Sequence, residues 1–347
     1  MNPAEAPGSN GQGLFGTSEE GSGRRWLARW RFVLPILVFA FVLNFIRLPY
    51  FVFEPGPAQD VIPLIHVEER QIYPTQGHFL LTAVSFFQPN VYEIFRAWVD
   101  STQEVVPQSY LLAPGQTQEE ETRVALSQMD TSKIDAAVVA LAAEADYPDK
   151  HGTGALVETV YPDTPAEGKL FAGDLILAID GEAVNTVEDV GPHIQSAGVG
   201  HALRFTVEAG GVRQDVEVAP AIVSGSDTPI IGVRLVDNFP FPVTIDSGGI
   251  GGPSAGLMWA LGLTDILTPR DLTGGRTIAG TGTIDPEGKV GPIGGIEEKV
   301  AAAERAGAVL FFAPKDNAAA AKSVAGDMVI VPVQTYQQAL DYLSQQP

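Results

Sequence analysis

Ser254 stands inside a run of six glycines and one proline, DSGGIGGPSAGLMWALG (Asp246–Gly262), that ends in an apolar segment. Three chemistries use such a run: a phosphate cradle, a nucleophile elbow, and a plain helix start. A phosphate-binding P-loop needs G-x-x-x-x-G-K-[ST], and this run contains no lysine. The closest imitation, GTIDPEGKV at 282–290, has the wrong glycine spacing and a valine where a magnesium-binding hydroxyl belongs, so it reads as a hairpin turn. The dinucleotide fingerprint G-x-G-x-x-G fails as well, because Gly249-Ile-Gly251 runs on to Ser254 instead of a third glycine. Gly252-Pro-Ser254-Ala-Gly256 does satisfy G-x-S-x-G, in which a serine sits on a tight strand-to-helix turn. The plainer alternative is Ser254 as a helix N-cap.

A serine nucleophile needs a base. All five histidines, at 66, 78, 151, 193 and 201, precede Ser254, which excludes the order Ser, acid, His of the elbow hydrolases. A lysine can replace histidine if burial lowers its pKa enough to free a lone pair. Of the four lysines after Ser254, Lys289, Lys315 and Lys322 have polar or turn-like surroundings. Lys299 differs. In GGIEEKVAAAERAGA it shares a helical face with Ile296, Val300 and Ala303, while Glu297, Glu298 and Glu304 point elsewhere. Such a lysine either snorkels to solvent or is buried for a purpose.

The serine motif GGPSAGLMWAL, the intervening GTGTI, and the lysine of GPIGGIEEKVAAAERAGA, 45 positions after the serine, closely resemble the Lon-type (S16) Ser–Lys peptidase domain. The likeness is greatest to bacterial membrane-anchored, PDZ-containing Lon-like proteases. It implies Ser254 as nucleophile, Lys299 as general base and Thr281 as the hydroxyl that orients the lysine amine. It also implies polypeptide substrates, no cofactor or metal, and a ring-shaped homo-oligomer, a hexamer; nothing in the sequence specifies the number of subunits. Gly251 occupies a position that is acidic in the ATP-dependent enzymes. No ATPase motif accompanies the peptidase motifs, so exposed or unfolded chains are the expected targets.

These residues need elements to hold them. GHFLLTAVSFF (77–87) reads as a buried strand, the acidic run Glu119–Glu121 as a solvated loop, and 127–145 as a helix with Ile134, Ala137, Val138 and Leu141 in phase. Residues 149–222 alternate short strands with Gly/Pro turns and resemble a PDZ domain of the bacterial protease-associated type. That likeness rests on Gly152-Thr153-Gly154 before the strand 155–160, on TPA at 164–166, and on GDLILAIDG at 173–181. Backbone amides at Gly152, Thr153, Gly154 and Ala155 are the expected binding site for a peptide terminus. SGSDTP (224–229) reads as a linker. From 230 onward, strands alternate with helices. The expected architecture is α+β: a Lon-type peptidase domain of residues 60–146 plus 225–347, split by the inserted PDZ-like unit. Separate N- and C-terminal domains are the simpler alternative.

Composition limits the partners. The net charge of −21, from 42 acidic and 21 basic residues, argues against nucleic acid, and the absence of cysteine excludes disulfides and thiol chemistry. Residues 1–31 read as a disordered cytoplasmic tail ending in Arg24, Arg25, Arg29 and Arg31. The apolar stretch 32–53 reads as a transmembrane anchor that leaves the catalytic region outside the cytoplasm. A cleaved signal peptide is the rival reading, although no A-x-A-like site follows. The expected function is an ATP-independent serine endopeptidase at the outer face of a cell membrane. The contrasting class is a non-catalytic scaffold that binds peptide tails.

Overall fold

A computed structural model describes residues 33–100, 102–223 and 226–345. The expected disordered tail and its arginines lie outside these residues. Helix α1 (33–43) is followed by a turn, and the chain then enters strand β1 (Tyr50–Asp60). The anchor expected over 32–53 is therefore corrected at its C-terminal end. Phe51, Val52 and Phe53 are buried in a sheet, because their aromatic and β-branched side chains suit a pleated surface. Among the described residues, no helix is long and apolar enough to cross a membrane.

Strands β2 (Ile65–Val67) and β3 (His78–Phe87) lead to helix α2 (Val91–Val99), β4 (Glu104–Pro107) and α3 (Gln118–Glu144). The acidic run read as a loop is the first turn of α3. Thr117 caps that turn in a capping box with Glu120, and the carboxylates favour the positive end of the helix.

The central unit is a five-stranded sheet in the order β10-β5-β6-β8-β9, with a two-residue strand, β7, beside β6. Its elements are β5 (Ala155–Val160), β6 (Leu175–Ile179), β7 (Glu182–Ala183), α4 (Val190–Ala197), β8 (Leu203–Ala209), β9 (Val212–Val218) and β10 (Val233–Asp237). The unit does not stop at 222. β10, expected in the second half of the peptidase, pairs antiparallel with β5.

Then come β11 (Val243–Ile245), α5 (Gly256–Leu267), β12 (Thr277–Gly280), β13 (Thr283–Ile284) and β14 (Val290–Gly291). Helix α6 (Ile296–Arg305), β15 (Leu310–Pro314), α7 (Ala318–Val324), β16 (Val329–Val333) and α8 (Tyr336–Ser344) complete the chain. One six-stranded sheet, β16-β15-β12-β3-β1-β4, takes strands from both sides of the central unit. β3, β12, β15 and β16 run parallel, and β1 and β4 add an antiparallel margin.

Alternation along these strands builds two cores. Phe79, Leu81, Ile278, Leu310 and Phe312 pack against α3, α5 and α8, while Leu80, Ala279, Phe311 and Ala313 pack against α6 and α7. The result is a three-layer mixed α/β arrangement rather than the segregated α+β class expected.

Candidate active site

Four elements converge on Ser254. The Gly-rich loop brings the chain to a short 3-10 turn, Pro253–Ala255, from which the fully buried helix α5 continues. Gly252 has φ 87°, a conformation in which a Cβ is strained, and its N–H donates to the Ala125 carbonyl of α3 at 2.7 Å. Gly251 is packed so closely that a Cβ there would lie 2.9 Å from the Ala125 Cβ. The acidic side chain noted as missing at this position therefore has no room against α3. Ser132 of α3 donates to the Pro253 carbonyl at 3.0 Å, so the elbow is fastened from beneath.

Lys299 lies on the first turn of α6, with 4% of its surface exposed. Its Nζ donates to Ser254 Oγ at 2.9 Å and to the Thr82 carbonyl of β3 at 2.5 Å. Burial lowers its pKa from 10.5 to about 8. Among the described residues no carboxylate forms an ion pair with the amine, and the dipoles of the Thr82 carbonyl and Ser254 hydroxyl face its charged form. Thr82 sits where β1 and β3 lose register between Pro55 and Ala58, an irregularity of the kind that re-aims backbone groups beside active sites.

Thr281 is fully buried, but its hydroxyl does not contact the amine in the way expected. It donates to the Ser254 carbonyl at 2.9 Å, and Gly282 N–H donates to the same oxygen at 2.8 Å. The group that holds the amine is the Thr82 carbonyl, which side-chain motifs do not reveal. Glu298, expected to point away, is also buried, and desolvation raises its pKa. A cavity of about 430 Å³ opens in front of Ser254 and Lys299, walled by Leu81, Val84, Phe86, Leu111, Leu126 and Met129.

In the glycine loop of the central unit, two of the four amides expected to receive a peptide terminus have partners within the protein. Gly152 N–H donates to Asn238, Gly154 N–H donates to Asn185, and Asn238 donates to the Thr153 carbonyl. Ala155 begins β5, which is covered on both edges by β10 and β6. The Gly152 and Gly154 amides are spent on internal bonds. β10 is one of the two edge strands of this sheet, and between it and α4 runs a groove of about 440 Å³ lined by Val187, Val190, Ile194, Ile230, Ile231 and Leu235. A glycine set among apolar residues in PIIGVRL is the signal the sequence offers, masked by the β8–β9 hairpin that precedes it.

Residues 208–345 match the family model of the Lon protease (S16) C-terminal proteolytic domain. Residues 128–219 match the PDZ domain model, so both matches cut across the structural boundary of the central sheet at 155–237. Curated relatives of the Lon-type region include Lon protease 1 of Bacillus subtilis (strain 168), 34% identical over 119 residues, or 33% of this chain and 15% of the relative. Lon protease of Desulforamulus reducens is 40% identical over 89 residues, covering 25% of this chain and 11% of the relative. The chain thus spans less than a fifth of the length of these relatives. A solved PDZ domain of an SdrC-like protein from Listeria innocua is 30% identical, covering 24% of this chain and 92% of that one, with a TM-score of 0.23.

Proposed function

We propose that the chain is a membrane-anchored serine endopeptidase in which Ser254 and Lys299 form a catalytic dyad. The observation that carries this reading is the buried Lys299 amine placed 2.9 Å from Ser254 Oγ. With a pKa of about 8, roughly a tenth of the amine is neutral at pH 7, against well under a thousandth for an ordinary lysine. The neutral amine takes the Oγ proton as Oγ attacks a peptide carbonyl. The ammonium then protonates the leaving amine, and the same lysine activates water to release the acyl group. The Ser254 and Ala255 N–H groups at the start of the turn are the candidates for stabilising the oxyanion; Pro253 has none to offer. Thr281 positions the serine backbone, and the Thr82 carbonyl positions the amine.

The apolar walls of the cavity favour an extended chain with an apolar side chain beside the scissile bond. The β10–α4 groove supports capture of substrate tails by strand addition. Cleavage without ATP, of exposed or unfolded polypeptides, is part of the same proposal. Anchoring is supported by α1, whose side chains are apolar and exposed, among them Leu34, Ile36, Phe39 and Phe41. The arginines at 24–31 support a cytoplasmic N-terminus and a catalytic region on the opposite side. A homo-oligomeric ring is part of the same proposal.

The test is hydrolysis of an unfolded protein by the Ser254→Ala and Lys299→Ala variants. Loss of at least a thousandfold is expected in each, and full activity in either would overturn the dyad.

A further inference from the structure

Helix α2, VYEIFRAWV, is well built for its length. Asn90 caps it in a complete capping box with Glu93. Its small residue, Ala97, faces the protein. At 100° per residue, Val91, Tyr92, Phe95, Trp98 and Val99 fall within one arc of about 120°. That arc faces outward: Phe95 is 61% exposed, Trp98 72% and Val99 89%. Phe95 and Trp98 pack edge to face, forming one aromatic surface.

The arc adjoins α1. Tyr92 Oη donates to the Ala40 carbonyl at 2.7 Å, Asn90 Nδ2 to Asn44 Oδ1 at 3.0 Å, and Arg47 pairs with Glu93 at 3.2 Å. These bonds hold α2 beside α1, so the exposed apolar side chains of the two helices lie on neighbouring surfaces. A second protein covers one side of a helix, whereas lipid covers every side, and α1 exposes apolar groups around its circumference. Tyr and Trp on the adjoining arc, with the exposed Arg96 next to it, are the residues favoured at the level of lipid headgroups.

We infer that α2 is an interfacial helix, lying in the headgroup zone of the bilayer that holds α1, with Phe95, Trp98 and Val99 at the acyl boundary. This rests on the anchoring reading above. It names the substrate class more closely. β3 runs from Thr82, beside the Lys299 amine, to Phe87, just before α2. At about 3.3 Å per residue, the catalytic serine stands within ~30 Å of the lipid surface. Segments of membrane proteins just outside the bilayer are then the polypeptides within reach.

The chain has no cysteine, so Phe95→Cys and, as a control on the β8–β9 hairpin, Val212→Cys can each carry a single environment-sensitive fluorophore. The full chain is reconstituted in phosphatidylcholine–phosphatidylglycerol vesicles with and without lipids bearing a shallow spin label. The expected result is flotation with the vesicles, blue-shifted emission at position 95 that the labelled lipid mostly quenches, and unquenched emission at 212. Flotation without quenching at 95 overturns the interfacial role while leaving the anchor standing. A blue shift at 95 that persists in detergent and ignores labelled lipid means a second copy covers the helix, and also overturns it. Failure to float removes the anchor and this inference together.

Discussion

Lys299 is held in a setting that disfavours its charge, and its energetics follow from that. Its folded pKa of about 8 lies below the ordinary 10.5, so between these values the unfolded chain binds more protons than the folded one. Stability from this group therefore rises as pH climbs from about 8 to 10.5, and at neutral pH the buried amine is a net cost. Lys299→Met should abolish hydrolysis yet stabilise the fold at pH 7 by about 1–3 kcal/mol, measured by denaturant unfolding. The rate on a short peptide should rise with pH through about 8 and then level off; a rate flat from pH 6 to 9 would contradict a lysine base. Gly251 gives a second prediction at this scale. Gly251→Asp should cut activity at least tenfold by pushing the loop from Ala125, and Ala125→Gly in the same chain should restore part of it, as steady-state kinetics can show. Ser254 and Lys299 were legible because a serine motif without a downstream histidine demands another base. The Thr82 carbonyl was not, since any residue carries one and only the sheet register selects it.

Helix α3 touches both the Ser254 loop and the central five-stranded sheet. Ala125 and Ser132 hold the Ser254 elbow, while Thr131 donates to the Glu158 carbonyl of β5 at 3.0 Å. Arg234, on the groove strand β10, forms an ion pair with Glu158 and lies 4.0 Å from Asp135 of α3. Glu158 is 1% exposed, so Arg234→Ala leaves a buried carboxylate without its cation. A loss of about 3 kcal/mol is expected by thermal or denaturant unfolding, toward the low end for a buried pair because the guanidinium is half-exposed. Burial, reinforced by Glu158, raises the Asp135 pKa, so the folded state binds more protons than the unfolded one above the ordinary carboxylate range. Stability should fall as pH rises through that window, and Asp135→Asn should flatten the slope. The length of α3 was available in Thr117 and Glu120, a capping box that the neighbouring acids disguised as a solvated loop. β10 was misassigned because it follows a hairpin, and nothing local in a strand says which sheet it joins.

Across the whole molecule, the central unit leaves and re-enters the body built on the six-stranded sheet at adjacent points, since Gly152 N–H donates to the Asn238 carbonyl at 2.9 Å. Replacing 153–237 with a short Gly/Ser linker should therefore preserve the Ser254–Lys299 arrangement. Cleavage of short peptides should persist while cleavage of long tailed polypeptides falls, a contrast read by paired assays. The excision also bares the side of α3 that Arg234 covers, so a lower melting temperature is expected as well. Alternating strands and helices were readable after residue 230, but not their union with β1, β3 and β4 in one layered mixed sheet, and so α+β was the expected class. The true limits of the inserted unit were not readable, because strand pairing over long separations leaves no local trace.

The parallel pairing of β3 with β12 joins residues that leave the ribosome almost 200 positions apart, and the Thr82–Lys299 contact spans 217. At about 5–20 residues per second, the early strands wait ~10–40 s for their neighbours. The central unit has all its strands in one stretch and can close during that interval. The β10–α4 groove is thus shaped on a growing chain before Lys299, and with it the pairing to Ser254, has been made.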